Sequence, residues 1–253
     1  MNRTKLFAAA LGVVLQLAAG NAAAAPAAAL KVGYSDWPGF VAWQVAIDKG
    51  WIKQAGIDVA FEWFDYSASL DAFSAGKLDA VLATNGDTLV MGSGGGKGVM
   101  VMLTDYSSGN DMVVGKPGIK SLKDLKGQKV AVELGLVDHL LLLNGLEKAG
   151  MSEKDVTLVN SKTNETPQVL SSGQVAAVAA WQPSSGQAMK NLPGSTPIYT
   201  SAQAPGLIYD VLTVSPASLA AHKADWVKLI KVWDRTVHYI PRTPLAPLLT
   251  RTR

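Results

Sequence analysis

The sequence predicts an α/β protein folded as two lobes with a ligand cleft between them, and three observations predict it. Leu30–Asp87 reads as β-turn-α-β-turn-α-β. Each of its strands ends in a polar or aromatic cluster just ahead of a helix: Asp36-Trp37-Pro38, Asp65-Tyr66-Ser67 and Thr84-Asn85-Gly86-Asp87. In an open α/β sheet such carboxyl-end loops face one crevice, where ligands bind. The third observation is an internal repeat. Ala75–Val81 (AGKLDAV) recurs as Ser172–Val178 (SGQVAAV), and Asp58-Val59 as Asp155-Val156, both at an offset of 97 residues. Two similar βαβ units, one per lobe, would present equivalent loops to a shared cleft. The same offset sets Thr84 against Trp181 and Asp65 against Lys162.

The individual elements follow from apolar spacing. Leu30–Ser35 is a short apolar strand, and Val41–Gln54 is predicted as one helix from Val41, Val45, Ile47, Trp51 and Ile52. Ile57–Phe64 and Leu78–Ala83 are strands. Met91–Gly98 (MGSGGGKG) looks like a phosphate loop, but its first glycine position holds Met91, and Gly98 stands where Ser or Thr must hold the metal. It is expected to be a flexible turn before a strand at Val99–Leu103. Met112–Gly115 leaves the first lobe as an extended segment, and Lys116–Gly127 is a lysine-rich loop with a short helix. Gln128–Glu133 is a strand, Val137–Ala149 a Leu-rich helix ended by Gly150, and Val156–Asn160 a strand. Thr163 is expected to cap the next helix, with Pro167 in its first turn. Val175–Ala180 is a strand ending at Trp181-Gln182-Pro183. Ile198–Ser201 is extended, and Pro205–Ser215 crosses back to the first lobe, giving the two crossings that a hinged pair needs. Ala224–Ile240 is an amphipathic helix with Trp226, Leu229, Ile230, Trp233 and Val237 on one side. The three prolines of Pro241–Arg253 preclude regular structure there.

Composition bounds the function. The chain has 253 residues, 48% hydrophobic, enough for two cores. Residues 1–25 have the form of a cleaved signal peptide: Arg3 and Lys5, the apolar run Leu6–Leu17, and the small residues Ala22-Ala23-Ala24. Export to the periplasm is therefore expected. The expected division places the first lobe at 26–112, the second at 113–209, a return to the first at 210–241 and an irregular tail at 242–253. With no cysteine there is neither a disulfide nor a lipid-attachment site, so no membrane anchor is expected. Arg3, Lys5, Arg242, Arg251 and Arg253 account for five of 23 basic residues, and the remaining 18 face 20 acids. That balance argues against a nucleic-acid partner. There is no G-x-S-x-G, no cysteine nucleophile and no metal-ligand spacing, so no catalytic residue, cofactor or metal is expected.

Several segments carry a family resemblance: GYSDWPGFVAWQVAIDKGWIKQAGIDV, AFSAGKLDAV and PGLIYDVL. They resemble the periplasmic solute-binding proteins of nitrate/sulfonate/taurine-type ABC transporters. TNGD, DYSSGNDM, VELGLVDHLLLLN and TNETPQVL look most like the subgroup encoded beside urea carboxylases and linked to guanidine use. The resemblance runs from about Lys31 to Tyr239. It implies a type II periplasmic-binding-protein fold, a small-molecule solute, a membrane permease as partner, and a monomer. Such proteins continue through further helices where this sequence enters its Pro/Arg-rich tail, so a shortened C-terminus is expected. The family also resembles pyrimidine-precursor synthases of thiamine biosynthesis, which are cytosolic; the leader sequence discriminates against that alternative.

The acids are the informative candidates. Asp65, Asp87, Asp111, Glu133 and Asp138 all lie at or just after predicted strand ends. For any one of them helix capping is the simpler role, but five around one cleft suggest a ligand role. No Arg or Lys occupies Asp36-Trp37-Pro38, Asp65-Tyr66-Ser67, Thr84–Gly95 or Asp105–Asp111. A sulfonate or nitrate site would want a cation or several free helix N-termini, whereas carboxylates beside aromatics suit a nitrogen cation. Trp37, Tyr66 and Trp181 can supply the faces. Asn85, His139, Thr163 and Asp210, from the matched segments, complete the candidate set. For His139, next to Asp138, a hydrogen-bonded place near the helix start is the simpler reading than acid–base work.

Overall fold

The computed structural model describes residues 28–240. The expected leader and the expected irregular tail therefore lie outside the described residues. In chain order the elements are β1 (Leu30–Tyr34), α1 (Val41–Asp48), α2 (Trp51–Gln54), β2 (Val59–Trp63), α3 (Tyr66–Ser74), β3 (Ala80–Thr84), α4 (Asn85–Ser93) and β4 (Val99–Tyr106). They continue with β5 (Met112–Gly115), β6 (Lys129–Val132), α5 (Val137–Lys148), β7 (Thr157–Asn160), α6 (Thr166–Ser171), β8 (Ala177–Ala180), α7 (Ser184–Asn191), β9 (Thr196–Thr200), β10 (Tyr209–Val214), α8 (Pro216–Ala221) and α9 (Lys223–Tyr239).

Two five-stranded sheets result, ordered β2-β1-β3-β10-β4 and β7-β6-β8-β5-β9. The repeat in the sequence is this likeness: β3 and β8, related by the offset, both sit at the centre of their sheets. Each sheet contains one antiparallel strand delivered by a crossing of the chain. After β4 the chain enters the second sheet as β5, antiparallel to β8 and β9. After β9 it returns to the first as β10, antiparallel to β3 and β4. Met112 thus already belongs to the second sheet, and Tyr209 to the first. The two crossings are stitched side by side. The Ser107 and Ser201 hydroxyls lie 2.7 Å apart, and the Gly109 N–H donates to Ser201 Oγ at 2.7 Å. The Ser201 N–H donates to the Asp111 carbonyl at 2.9 Å.

Several local expectations are corrected. The helix expected over Val41–Gln54 breaks at Lys49-Gly50, because Gly50 takes a left-handed φ of 67° and turns the chain into α2. The glycine run is not simply a flexible turn: α4 continues through Ser93, and a Cβ at Gly96 or Gly98 would collide with Ser74 or Thr213. Close packing, not freedom, selects those glycines. Thr163 does not cap α6; it opens a 3₁₀ turn, Thr163–Glu165, and the α-helix begins at Thr166.

The last helix anchors the first lobe. Trp226, Leu229, Val232, Trp233 and Thr236 are buried, at spacings of three and four residues that form one face. Trp233 meets Trp43 of α1 at 4.6 Å between ring centroids, and the Arg235 guanidinium lies 4.2 Å from the Trp51 ring centroid. Ile230, expected on the same stripe, is only half-buried because Val232 and Thr236 take the inner positions. Accordingly, Trp233→Ala should destabilise the protein by about 3–5 kcal/mol, and Ile230→Ala by about 1 kcal/mol or less. Urea unfolding of both variants in one buffer checks the contrast.

Candidate functional site

The parallel strands of both sheets end toward the same gap, and three helix N-termini line it. α3 starts at Tyr66, α4 at Asn85 and α5 at Val137, each directly after a strand-end loop. Two adjoining narrow chambers, each with a cavity volume of about 10 Å³, lie between the lobes. Tyr66 and Trp181, one from each lobe, line both chambers, and their rings meet edge-on at 5.0 Å and 75°.

The outer chamber is closed by an ion pair. Lys162 Nζ lies 2.8 Å from Asp65 Oδ2, and Asn164 Nδ2 donates to Asp65 Oδ1 at 3.0 Å. Asp65 and Lys162 are the two positions that the repeat sets against each other, so the latch sits at equivalent points of the lobes. Both partners are partly exposed, so solvent screening leaves the pair a weak latch. Glu133 lines the same chamber and accepts from the Thr163 N–H and hydroxyl, both at 3.4 Å.

The inner chamber is lined by Trp37, Phe40, Asp111, Val137 and Asp210, with Ser35 and Thr84 among the polar members. It has no Arg, Lys or His in its lining. Trp37 is held by its indole N–H, which donates to Asp105 Oδ1 at 2.9 Å. Asp111 is 2% exposed, and its Oδ2 has no hydrogen-bond partner among the described residues. Burial, with the charges of Asp105 and Asp87, pushes the Asp111 carboxyl up to about 6.

Behind this lining lie two further acids. Asp87 accepts from the Tyr66 hydroxyl at 2.7 Å and, across the lobes, from the Val137 N–H at 3.2 Å. Burial outweighs those bonds and raises its carboxyl to about 6. Asp138 is 1% exposed, and neither of its oxygens meets a partner in full hydrogen-bond geometry. Burial and the charges of Asp111, Asp87 and Glu133 push it well above the carboxylate range, with only a partial offset from the Trp181 N–H. Asp210 is likewise raised well above it, by burial first and then by Asp105.

The structure thus brings Trp37, Tyr66, Asp111, Trp181 and Asp210 to the inner chamber, and Asp65, Glu133 and Thr163 to the outer one. Asp87 and Asp138 stand behind the walls. Asn85 and His139 line neither chamber. The Asn85 Oδ1 accepts from the Tyr209 N–H at 3.2 Å, bracing α4 on β10. His139 Nδ1 accepts from the Gly135 N–H at 3.0 Å, in the local role expected of a histidine near a helix start. Sequence reasoning left Asp105 outside the candidate set, since its position opposite Asp210 depends on strand pairing. It also left out Lys162, although the repeat had marked that position. Among the described residues no cluster of His, Cys, Asp and Glu could hold a metal ion.

A family model described as NMT1/THI5 like matches residues 37–246. A putative binding protein of Brucella abortus (strain 2308) is 30% identical over 167 residues, 65% of this chain and 51% of that protein. The chain spans about half the length of the curated relatives that head the comparison. Among solved structures, the alkanesulfonate-binding protein SsuA of Xanthomonas axonopodis pv. citri bound to MOPS superposes with a TM-score of 0.71 at 20% identity, over 89% of this chain and 83% of that one. The periplasmic nitrate-binding protein NrtA of Synechocystis PCC 6803 gives 0.72 at 11% identity, over 82% and 60%. These likenesses establish the α/β fold of the periplasmic sulfonate- and nitrate-binding proteins.

The raised acids set the pH dependence of stability. A carboxyl whose folded pKa exceeds its unfolded value holds its proton longer in the folded state, so its contribution is complete below the unfolded value and is lost as pH rises through the folded one. For Asp87 and Asp111 the window runs from 3.8 to about 6, and for Asp138 and Asp210 it extends higher. The ligand-free protein should therefore melt at a lower temperature near pH 8 than near pH 5. Asp138→Asn should raise the melting temperature near pH 8 by several degrees, at about 2–4 °C per kcal/mol. Scanning calorimetry across pH measures both.

Proposed function

The chain belongs to the NMT1/THI5 like family, and from that premise we propose that it is the solute-binding component of an ABC importer. It captures a small nitrogen-containing cation, guanidinium-like or an amine, and delivers it to a membrane permease after export to the periplasm. The observation that carries the ligand class is the inner chamber: Asp111 and Asp210 in its wall, Trp37 and Trp181 beside them, and no basic group in the lining. A buried carboxylate with an unpartnered oxygen is costly, and a bound cation that donates hydrogen bonds removes the cost. The aromatic faces add cation–π attraction. Each chamber has room for about one water, so the lobes part to admit a solute, and one of few heavy atoms needs the least opening. Capture at a cleft between hinged lobes is what an importer's binding protein requires, and the stitched crossings at Ser107 and Ser201 supply the hinge.

The competing reading is a sulfonate or nitrate, the ligands named for the neighbours SsuA and NrtA. An oxyanion here would meet acids in place of a counter-charge. A thermal-shift comparison separates the two. Guanidinium at low millimolar concentration or methylammonium should stabilise the protein, by about 2.7 kcal/mol at 100 times the dissociation constant. Taurine and nitrate should leave the melting temperature unchanged. A shift with taurine or nitrate and none with either cation would overturn the cation assignment. Recovery of the bound cation chemically unaltered, by NMR, distinguishes carriage from an enzymatic role.

A further inference from the structure

We propose that Asp105 is the positioning residue of the inner chamber and shares a single proton with Asp210, so that the empty site presents a neutral Asp210 and releases the proton to solvent when a cation enters. This rests on the cation reading of the same site and adds to it a residue outside the chamber wall and a proton exchange.

Strand register brings the two acids together. β4 and β10 run antiparallel with Asp105 directly opposite Asp210, next to the pair Tyr106 and Tyr209, and the register shifts just after Asp210. Residues facing each other in such a ladder have Cβ atoms about 4.5–5.5 Å apart, and two ionised carboxylates there repel. Two carboxyls at this range that face no cation hold one proton between them. The charged groups that act on the pair are also acids: Asp111, immediately before β5, and Asp87 on α4. The other titratable neighbours are phenols, Tyr106 and Tyr209 next in the ladder and Tyr66 in the chamber wall. The nearest lysine in the chamber walls, Lys162, is at the outer mouth and is engaged by Asp65.

Asp105 is also braced for positioning. One oxygen accepts the Trp37 indole N–H, and the other, Oδ2, is buried without a partner in full hydrogen-bond geometry, while the Thr104 hydroxyl and the Asp210 carboxyl lie beside the Asp105 carboxyl. A proton on Asp210 gives Oδ2 a donor. The loop before α1 is built tightly onto this pair: a Cβ at Gly39 would stand 2.5 Å from Asp105 Oδ2 and 2.6 Å from Trp37 Nε1. Only glycine lets the backbone press the indole and the carboxylate together, so the Trp37 face in the chamber is set by Asp105. Burial raises both carboxyls, and the Asp105 charge raises Asp210 further, consistent with the proton residing on Asp210.

Two measurements test this. In ligand-free protein carrying ¹³C-labelled aspartate near neutral pH, difference infrared spectroscopy should show carboxylic-acid C=O intensity that falls by one carboxyl in Asp210→Asn, leaving the contribution of Asp138. Titration calorimetry with guanidinium chloride in buffers of different ionisation enthalpy should show the wild type releasing roughly one more proton per bound cation than Asp210→Asn. Asp105→Asn keeps an acceptor for Trp37 but removes the charge. It should lower the slope of log affinity against pH by about one proton, which a merely structural acceptor would not do. Identical wild-type and Asp210→Asn infrared spectra, or proton release unchanged by the substitution, would overturn the proposal. If the infrared intensity falls by one carboxyl but neither guanidinium nor methylammonium binds, the cation reading fails and the shared proton stands.

Discussion

Carboxyl groups from both lobes are buried together with no basic side chain among them, and the rest of the cleft is shaped by that constraint. Asp87 and Asp210 come from the first lobe, Glu133 and Asp138 from the second, and Asp111 from the crossing between them, and each of the aspartates is raised by burial before any other cause. At about 4 Å and an effective dielectric constant near 20, two such charges repel by about 4 kcal/mol. A fold with a marginal net stability cannot hold several of these interactions unrelieved. Retained protons relieve them in the empty protein, and helix ends help: Asp87 and Asp138 sit in the first turns of α4 and α5, where the helix dipole favours negative charge.

Topology explains why so many acids meet in one place. Parallel strands send their carboxyl ends to the cleft, which accounts for Asp65, Asp87 and Glu133. The exchanged antiparallel strands account for Asp111 and Asp210. Asp111 lies immediately before β5 and Asp210 near the start of β10, so each return of the chain through the hinge delivers an acid to the inner chamber. The same crossing strands place Asp105 against Asp210, and the stitched serines hold the two crossings in register. The crossings and the inner chamber are therefore built from the same few residues.

The lobed α/β fold was legible because its signals are local. Apolar runs, strand-end clusters and a constant repeat offset need no knowledge of tertiary contacts. The repeat reached further and paired Asp65 with Lys162, although only the structure shows that they form an ion pair. What was not legible depends on contacts distant in sequence. Asp105 looked like one more polar residue in DYSSGND until β10, a hundred residues on, lay down beside it. Asp138 and Asp111 were indistinguishable as strand-end acids, yet one stands behind the wall and the other in it. The break after α1 turns on a single glycine conformation, which apolar spacing cannot register.

The balance of forces across the cleft links ligand charge to closure. Closing the lobes brings Glu133 and Asp138 toward Asp87, and the mutual effect appears as charge-driven raising of the Asp87 and Asp138 carboxyls. Against this stand the solvent-screened Asp65–Lys162 pair, the edge-on contact of Tyr66 with Trp181, and one backbone bond from Val137 to Asp87. A cation changes the sign of the central contribution. Acids that repel one another across the gap all attract it, and they do so most strongly when the lobes are closed around it. An anion would add its charge to the repulsion and favour separation. A ligand shifts a two-state equilibrium only by its differential affinity for the two states. On the proposed reading, the cation's charge itself supplies that difference, because the acids that bind it are divided between the lobes.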